Sequence, residues 1–100
     1  MKARKDYMFY EITATSEVQE LNLPTRGQGH TIQIRNRGDN EVQIVLRTPT
    51  NQANFNSDNK IIKLGAGEDF EDDMLVEKIY YKATSGTSNI VVYVSWTDFY

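Results

Sequence analysis

The sequence contains no cysteine. That excludes a disulfide framework and thiolate chemistry, and residue usage therefore says nothing about redox compartment. Histidine occurs once, as His30. A Ser-His-Asp site would have to use it, and no nucleophile elbow accompanies it. It opens a strand-like run beside Gly29, where a hydrogen-bonded structural role fits better than catalysis. Long apolar runs are missing too. No stretch approaches the roughly 20 residues of a membrane-spanning helix. The first residues, Met1-Lys2-Ala3-Arg4-Lys5-Asp6, are charged and no apolar signal core follows them. A product made in a cytoplasm is expected. An excess of positive charge is absent as well: 11 Lys and Arg face 14 Asp and Glu, for a net charge of −3. Nucleic-acid binders need a basic footprint that this chain lacks.

What is present favours strands. Ala and Leu are scarce, while Val, Ile, Thr and Tyr are common. One hundred residues suit one domain with one core. Alternation of apolar and polar residues predicts about eight short strands. They are Tyr7–Thr13, Val18–Leu23, His30–Asn36, Glu41–Thr48, Lys60–Leu64, a weak edge strand or loop at Glu68–Asp73, Met74–Ala83 and Asn89–Thr97. Turn signals separate them, among them Thr25-Arg26-Gly27-Gln28-Gly29 and Gly65-Ala66-Gly67. No helix pattern of crossover length interrupts them. The expected fold is all-β: a two-sheet antiparallel β-sandwich, with jelly-roll as a candidate topology. His30–Asn36 and Glu41–Thr48 read as the clearest hairpin. Residues 78–96 read as two runs folded about Thr84-Ser85-Gly86-Thr87-Ser88-Asn89. The expected core comprises Leu21, Leu23, Ile32, Ile34, Val42, Ile44, Leu46, Ile62, Ile79, Tyr81, Ile90, Val92 and Val94.

Each motif with a chemical reading has a plainer one. The two Gly-X-Gly turns lack a third glycine and a following helix, so no row of amides would cradle a phosphate. Glu68, Asp69, Glu71, Asp72 and Asp73 form an acidic cluster without the spacing of a Ca²⁺ loop. Arg37-Gly38-Asp39 spells an integrin tripeptide, yet Gly and Asp are what a tight turn needs. No catalytic residue, no cofactor and no metal is expected, and the chain reads as no enzyme.

Surface features point to partners instead. Lys2, Arg4 and Lys5 form a basic N-terminal arm (residues 1–5) whose charge opposes that of the whole chain. Tyr7 and Phe9 lie on the face of their strand opposite Met8 and Ile12. Val91 and Tyr93 give the last strand apolar residues on both faces, as expected of a strand lying under a partner. Phe55 is the one aromatic in the polar, asparagine-rich loop Pro49–Asp58, and loops of that length are often functional. Phe99 and Tyr100 add aromatics at the C-terminal end. The expected partner-binding set is Lys2, Arg4, Lys5, Tyr7, Phe9, Phe55, Phe99 and Tyr100.

The run from Ile79 through Tyr-Tyr-Lys-Ala-Thr-Ser-Gly-Thr-Ser-Asn to Ile-Val-Val, in a compact chain without cysteine, resembles the small all-β virion proteins of tailed bacteriophages. The likeness covers mainly residues 74–97 and transfers no functional residue. It implies a non-enzymatic structural protein of a phage particle, decorating or cementing the capsid. Its partners would be the major capsid protein or other virion proteins, with neighbouring copies of itself, and neither nucleic acid nor membrane. Its location would be the virion, after synthesis in the host cytoplasm. The alternative is a carbohydrate-binding sandwich module, such as one of a phage tail fibre.

Overall fold

The computed structural model describes residues 2–24 and 30–99. The turn expected at residues 25–29 and Tyr100 lie outside the described residues, as do the side chains of His30 and Phe99. Eight strands follow one another: β1 (Ala3–Ala14), β2 (Gln19–Asn22), β3 (His30–Asn36), β4 (Val42–Arg47), β5 (Ile61–Leu64), β6 (Asp69–Asp73), β7 (Lys78–Ala83) and β8 (Ser88–Phe99). A 3-10 turn, Asp58–Lys60, precedes β5. The strands form two four-stranded sheets in the orders β1-β8-β3-β6 and β2-β7-β4-β5. All the ladders are antiparallel. The chain passes between the sheets at nearly every connection, which is the interleaving of a jelly roll. The two-sheet all-β expectation and the topology both hold.

Alternation decides what each sheet buries. Ile32 and Ile34 of β3, and Ile90, Val92, Val94 and Trp96 of β8, point inward from one sheet; Val42, Ile44 and Leu46 of β4, and Ile79, Tyr81 and Ala83 of β7, point inward from the other. These side chains are buried and belong to one cluster, joined by Leu23, Leu64 and Val76. Leu21 and Ile62 from the expected core are half-buried at its margin.

Two pairings differ from the sequence expectation. β3 and β4 are not a hairpin: β3 pairs with β8 and β6, while β4 pairs with β7 and β5. β7 and β8 likewise lie in opposite sheets. In both cases the short connection arches across the sandwich instead of turning back. A buried asparagine explains the first arch. Asn36 is fully buried at the end of β3. Its Nδ2 donates to the carbonyls of Asn40 (2.7 Å), Leu64 (3.0 Å) and Gly65 (3.2 Å). Its Oδ1 accepts the Gly38 N–H (3.0 Å) and the Ser88 hydroxyl (2.7 Å). One side chain thus ties together the β3–β4, β5–β6 and β7–β8 connections. Gly38 sits here because a Cβ on it would lie 2.0 Å from Ser88 Oγ. The glycine of the Arg-Gly-Asp triplet therefore has a packing origin.

The β1–β8 ladder is the longest, running without a bulge from Ala3 opposite Phe99 to Ala14 opposite Ser88. Twelve residues of strand span roughly 40 Å. β3 accompanies β8 only as far as the His30–Trp96 pair. Beyond it, among the described residues, 3–5 of β1 and 97–99 of β8 continue as a two-stranded ribbon, consistent with the molecule's 48 Å long axis. The residues expected as a basic arm thus ride on the end of that ribbon.

Candidate interaction surface

The two outer faces of the sandwich differ. On the β2-β7-β4-β5 sheet, Val45 points away from the core by parity, yet it is fully buried, as is Ala53 of the following loop. Neither belongs to the central cluster. The segment after β4 is folded down over this face. Asn51 holds it: Oδ1 accepts the Thr48 and Ala53 N–H groups (2.9 and 3.0 Å), and Nδ2 donates to the Leu46 carbonyl (3.0 Å). Arg47 donates to Gln52 Oε1 and, at 3.4 Å, to the Tyr80 hydroxyl. Phe55 is half-buried, with Lys82 Nζ 4.8 Å from the centre of its ring. The ring expected among the partner-binding residues packs against its own domain.

The outer face of the β1-β8-β3-β6 sheet carries no such cover among the described residues. Register sets its rows. Tyr7, Ser95, Thr31 and Asp73 lie side by side; so do Phe9, Tyr93, Gln33 and Glu71; so do Glu11, Val91, Arg35 and Asp69. Tyr7 is 61% exposed, Phe9 52% and Tyr93 36%. The Tyr7 and Tyr93 rings stack with centroids 5.8 Å apart. A shallow cavity of about 240 Å³ lies beside them, lined by Phe9, Gln33, Arg35, Arg37, Val91 and Tyr93. The face grades from aromatic at β1 and β8 to acidic at β6. The sequence pointed to Tyr7 and Phe9 from their parity; it could not show that Gln33 and Arg35 would border them, because that depends on β8 lying between β1 and β3.

The remaining expected partner-binding residues are dispersed. Lys2, Arg4 and Lys5 are exposed on or beside the ribbon. Phe99 ends β8, with its side chain outside the described residues, as is Tyr100. Phe55 lies in the loop that covers the opposite sheet.

The acidic residues of β6 are spread along an edge strand. Asp69 pairs with Arg35 at 3.8 Å, and Asp73 Oδ1 accepts the Thr31 hydroxyl at 2.7 Å. Glu68 Oε1 instead accepts the Gly65 N–H at 2.6 Å, closing the turn before β6. Among the described residues, no group of three or more His, Cys, Asp or Glu side chains is placed to hold a metal ion. No helix among them is long and apolar enough to cross a membrane. Two phenols are perturbed: burial raises Tyr10 and Tyr81 above the ordinary value of 10.0.

No protein-family model matches the chain, and no curated protein matches it. A solved structure shares its fold. That chain is described by the words "Bacillus endospore appendages form a novel family of disulfide-linked pili". The match has a TM-score of 0.63 and 13% sequence identity, over 97% of this chain and 89% of that one. At that identity the likeness is one of fold. The neighbour is a bacterial appendage protein, and the phage resemblance of residues 74–97 finds no counterpart in these comparisons.

Proposed function

We propose that this chain is a non-enzymatic structural subunit of a protein assembly, docking through the outer face of its β1-β8-β3-β6 sheet. One observation carries the reading. Tyr7, Phe9 and Tyr93 form an exposed aromatic group on that face, whereas the opposite face is covered by the chain's own loop. Contiguous exposed apolar groups mark interaction sites, and aromatic anchors dominate interface energies. The shared fold with an appendage protein supports a structural role. The neighbour's description speaks of disulfide linkage; these 100 residues offer no cysteine for one, so their own contacts would be non-covalent. At the finer level we propose a component of a phage particle, decorating the capsid, with the capsid protein as partner. That step rests on the likeness of residues 74–97.

Mass spectrometry of purified particles and surface appendages from the encoding cells tests the reading. Many copies per particle are expected. A Phe9→Ser, Tyr93→Ser double variant should melt at nearly the wild-type temperature but fail to incorporate. Finding the chain only as free protein would overturn the reading. The same rings and the flanking Gln33 and Arg35 are also what a sugar-binding face uses. Glycan binding abolished by the double variant, without incorporation into any particle, would replace the structural role with the carbohydrate one.

A further inference from the structure

Four strands lie at sheet edges: β1 and β6 in one sheet, β2 and β5 in the other. An edge strand offers unpaired main-chain groups to other chains, and proteins blunt such edges with shortness, charge, proline or bulges. β2 and β5 have only four residues each. β6 is Asp-Phe-Glu-Asp-Asp, four acids in five residues. β1 has none of these protections along most of its length. It is twelve residues long, free of proline, glycine and bulges, and carries Tyr7, Met8, Phe9 and Tyr10 in succession. Its edge groups can be assigned. The Tyr7 N–H is taken by the Asp6 carboxylate at 2.8 Å. That donor therefore points away from β8, and by alternation the N–H groups of Lys5, Phe9 and Glu11 face the same free side.

We infer that β1 pairs with β1 of a second copy, antiparallel about a twofold axis at Met8, to form an eight-stranded sheet across a dimer. Symmetry narrows the register. A twofold axis normal to the sheet keeps each face on its own side, so only residues of the same parity can meet. Centring on Met8 sets Tyr7 opposite Phe9 and Lys5 opposite Glu11, each twice. Aromatic and opposite-charge pairs directly across an antiparallel ladder are the favourable ones. Centring on Tyr7 would set Lys5 against Phe9 and Ala3 against Glu11. Centring on Phe9 would set Tyr7 against Glu11 and Lys5 against Thr13. Only the Met8 register satisfies the rings and the charges together. The same symmetry is isologous and closes at two copies. It joins the two aromatic groups into one strip across the dyad. The inference deepens the structural-subunit reading, on which its biological purpose rests, while its geometry rests on β1 alone.

The dimer also specifies a cross-link. Odd residues would form the hydrogen-bonded pairs, with the Asp6 carboxylate giving up the Tyr7 N–H to the Phe9 carbonyl of the second copy, so Met8 would meet its symmetry mate in a non-hydrogen-bonded pair. Cα atoms of such pairs lie roughly 4.5 Å apart, within the roughly 4.4–6.8 Å that a disulfide spans. The chain's lack of cysteine makes single-cysteine variants unambiguous. Met8→Cys should give an oxidised covalent dimer. Asp6→Cys and Tyr10→Cys should cross-link poorly alone but well when mixed, because each faces the other. Val18→Cys, exposed but off the strand, is the control. Sedimentation equilibrium supplies the second measurement. Glu11→Lys should weaken dimerisation roughly tenfold by setting like charges opposite, and Lys5→Glu with Glu11→Lys should restore it. A wild-type chain that stays monomeric at high micromolar concentration would overturn the inference. So would Met8→Cys cross-linking no better than Val18→Cys. Monomers that still enter particles would leave the structural role standing without the dimer. Dimers found in no particle or appendage would do the reverse.

Discussion

Asn36 is where the fold depends most on one side chain. It is fully buried, and both its polar atoms are matched. Sequence reading could place it at the end of a strand but could not reveal its role, because Leu64, Gly65 and Ser88 reach it from two distant connections. Burial makes such a network costly to break, since each stranded group costs about 1–3 kcal/mol. Asn36→Leu would strand the Gly38 N–H, the Ser88 hydroxyl and three carbonyls. A loss of about 3 kcal/mol or more is expected, measured by urea unfolding. Asn36→Asp is the sharper variant. It keeps the shape but turns an acceptor oxygen toward the carbonyls of Asn40, Leu64 and Gly65, so it should lose at least as much at neutral pH. An Asp variant as stable as wild type would mean that the network is dispensable.

Tyr81 makes a different prediction, about pH. Burial raises its phenol above the ordinary value of 10.0. The folded state then holds a proton that the unfolded chain releases. Stability from this group is complete below pH 10, and it is lost as pH rises through the raised folded value. Tyr10 acts in the same direction from the half-buried end of its row. Melting temperature should therefore fall above about pH 10. Tyr81→Phe should flatten that fall, and an unchanged alkaline limb in the variant would remove Tyr81 from the account.

Among the elements, the strands themselves were legible and their partners were not. Parity identified Ile32, Ile34, Val42, Ile44 and Leu46 as core, and each is buried. Parity assigns a face, however, and says nothing about which sheet a strand joins. β3 and β4 would bury the same residues whether they paired with each other or faced one another across the core. What separates the two cases is the Asn36 network in the connection. The loop after β4 was obscure for a related reason. Its asparagines read as polar linker, whereas Asn51 and Asn54 fold it through side-chain to main-chain bonds. Phe55 consequently serves as part of a cover. Phe55→Ala should cost about 1–2 kcal/mol, from lost apolar contact and from the cation–π contact with Lys82. Thermal or urea unfolding reads this directly. A variant of unchanged stability that no longer binds a particle would return Phe55 to the role of an interface anchor.

At the scale of the whole molecule, the topology governs how the chain can fold. Among the described residues, β4 and β5 are the only consecutive strands that pair. Every other ladder joins strands separated by at least one intervening element, and β1–β8 brings Ala3 to Phe99. Such non-local pairing must meet the loop-closure entropy before its contacts repay it. Refolding from urea is expected in about milliseconds to seconds, as for other all-β sandwiches. The β1–β8 ladder closes the longest loop and should form late, after β8 has found β3. A truncation in β1 such as Ile12→Ala should then act mainly on unfolding, raising its rate while refolding changes little. Ile44→Ala, in a central strand beside the local β4–β5 pair, should slow refolding more for the same loss of stability. Stopped-flow chevrons for the two variants decide the order. Equal slowing of refolding by both would mean that β1 is already in place at the transition state. The exposed edge of β1 would then be complete before the rest of the sandwich, and a second copy could capture it during folding rather than after.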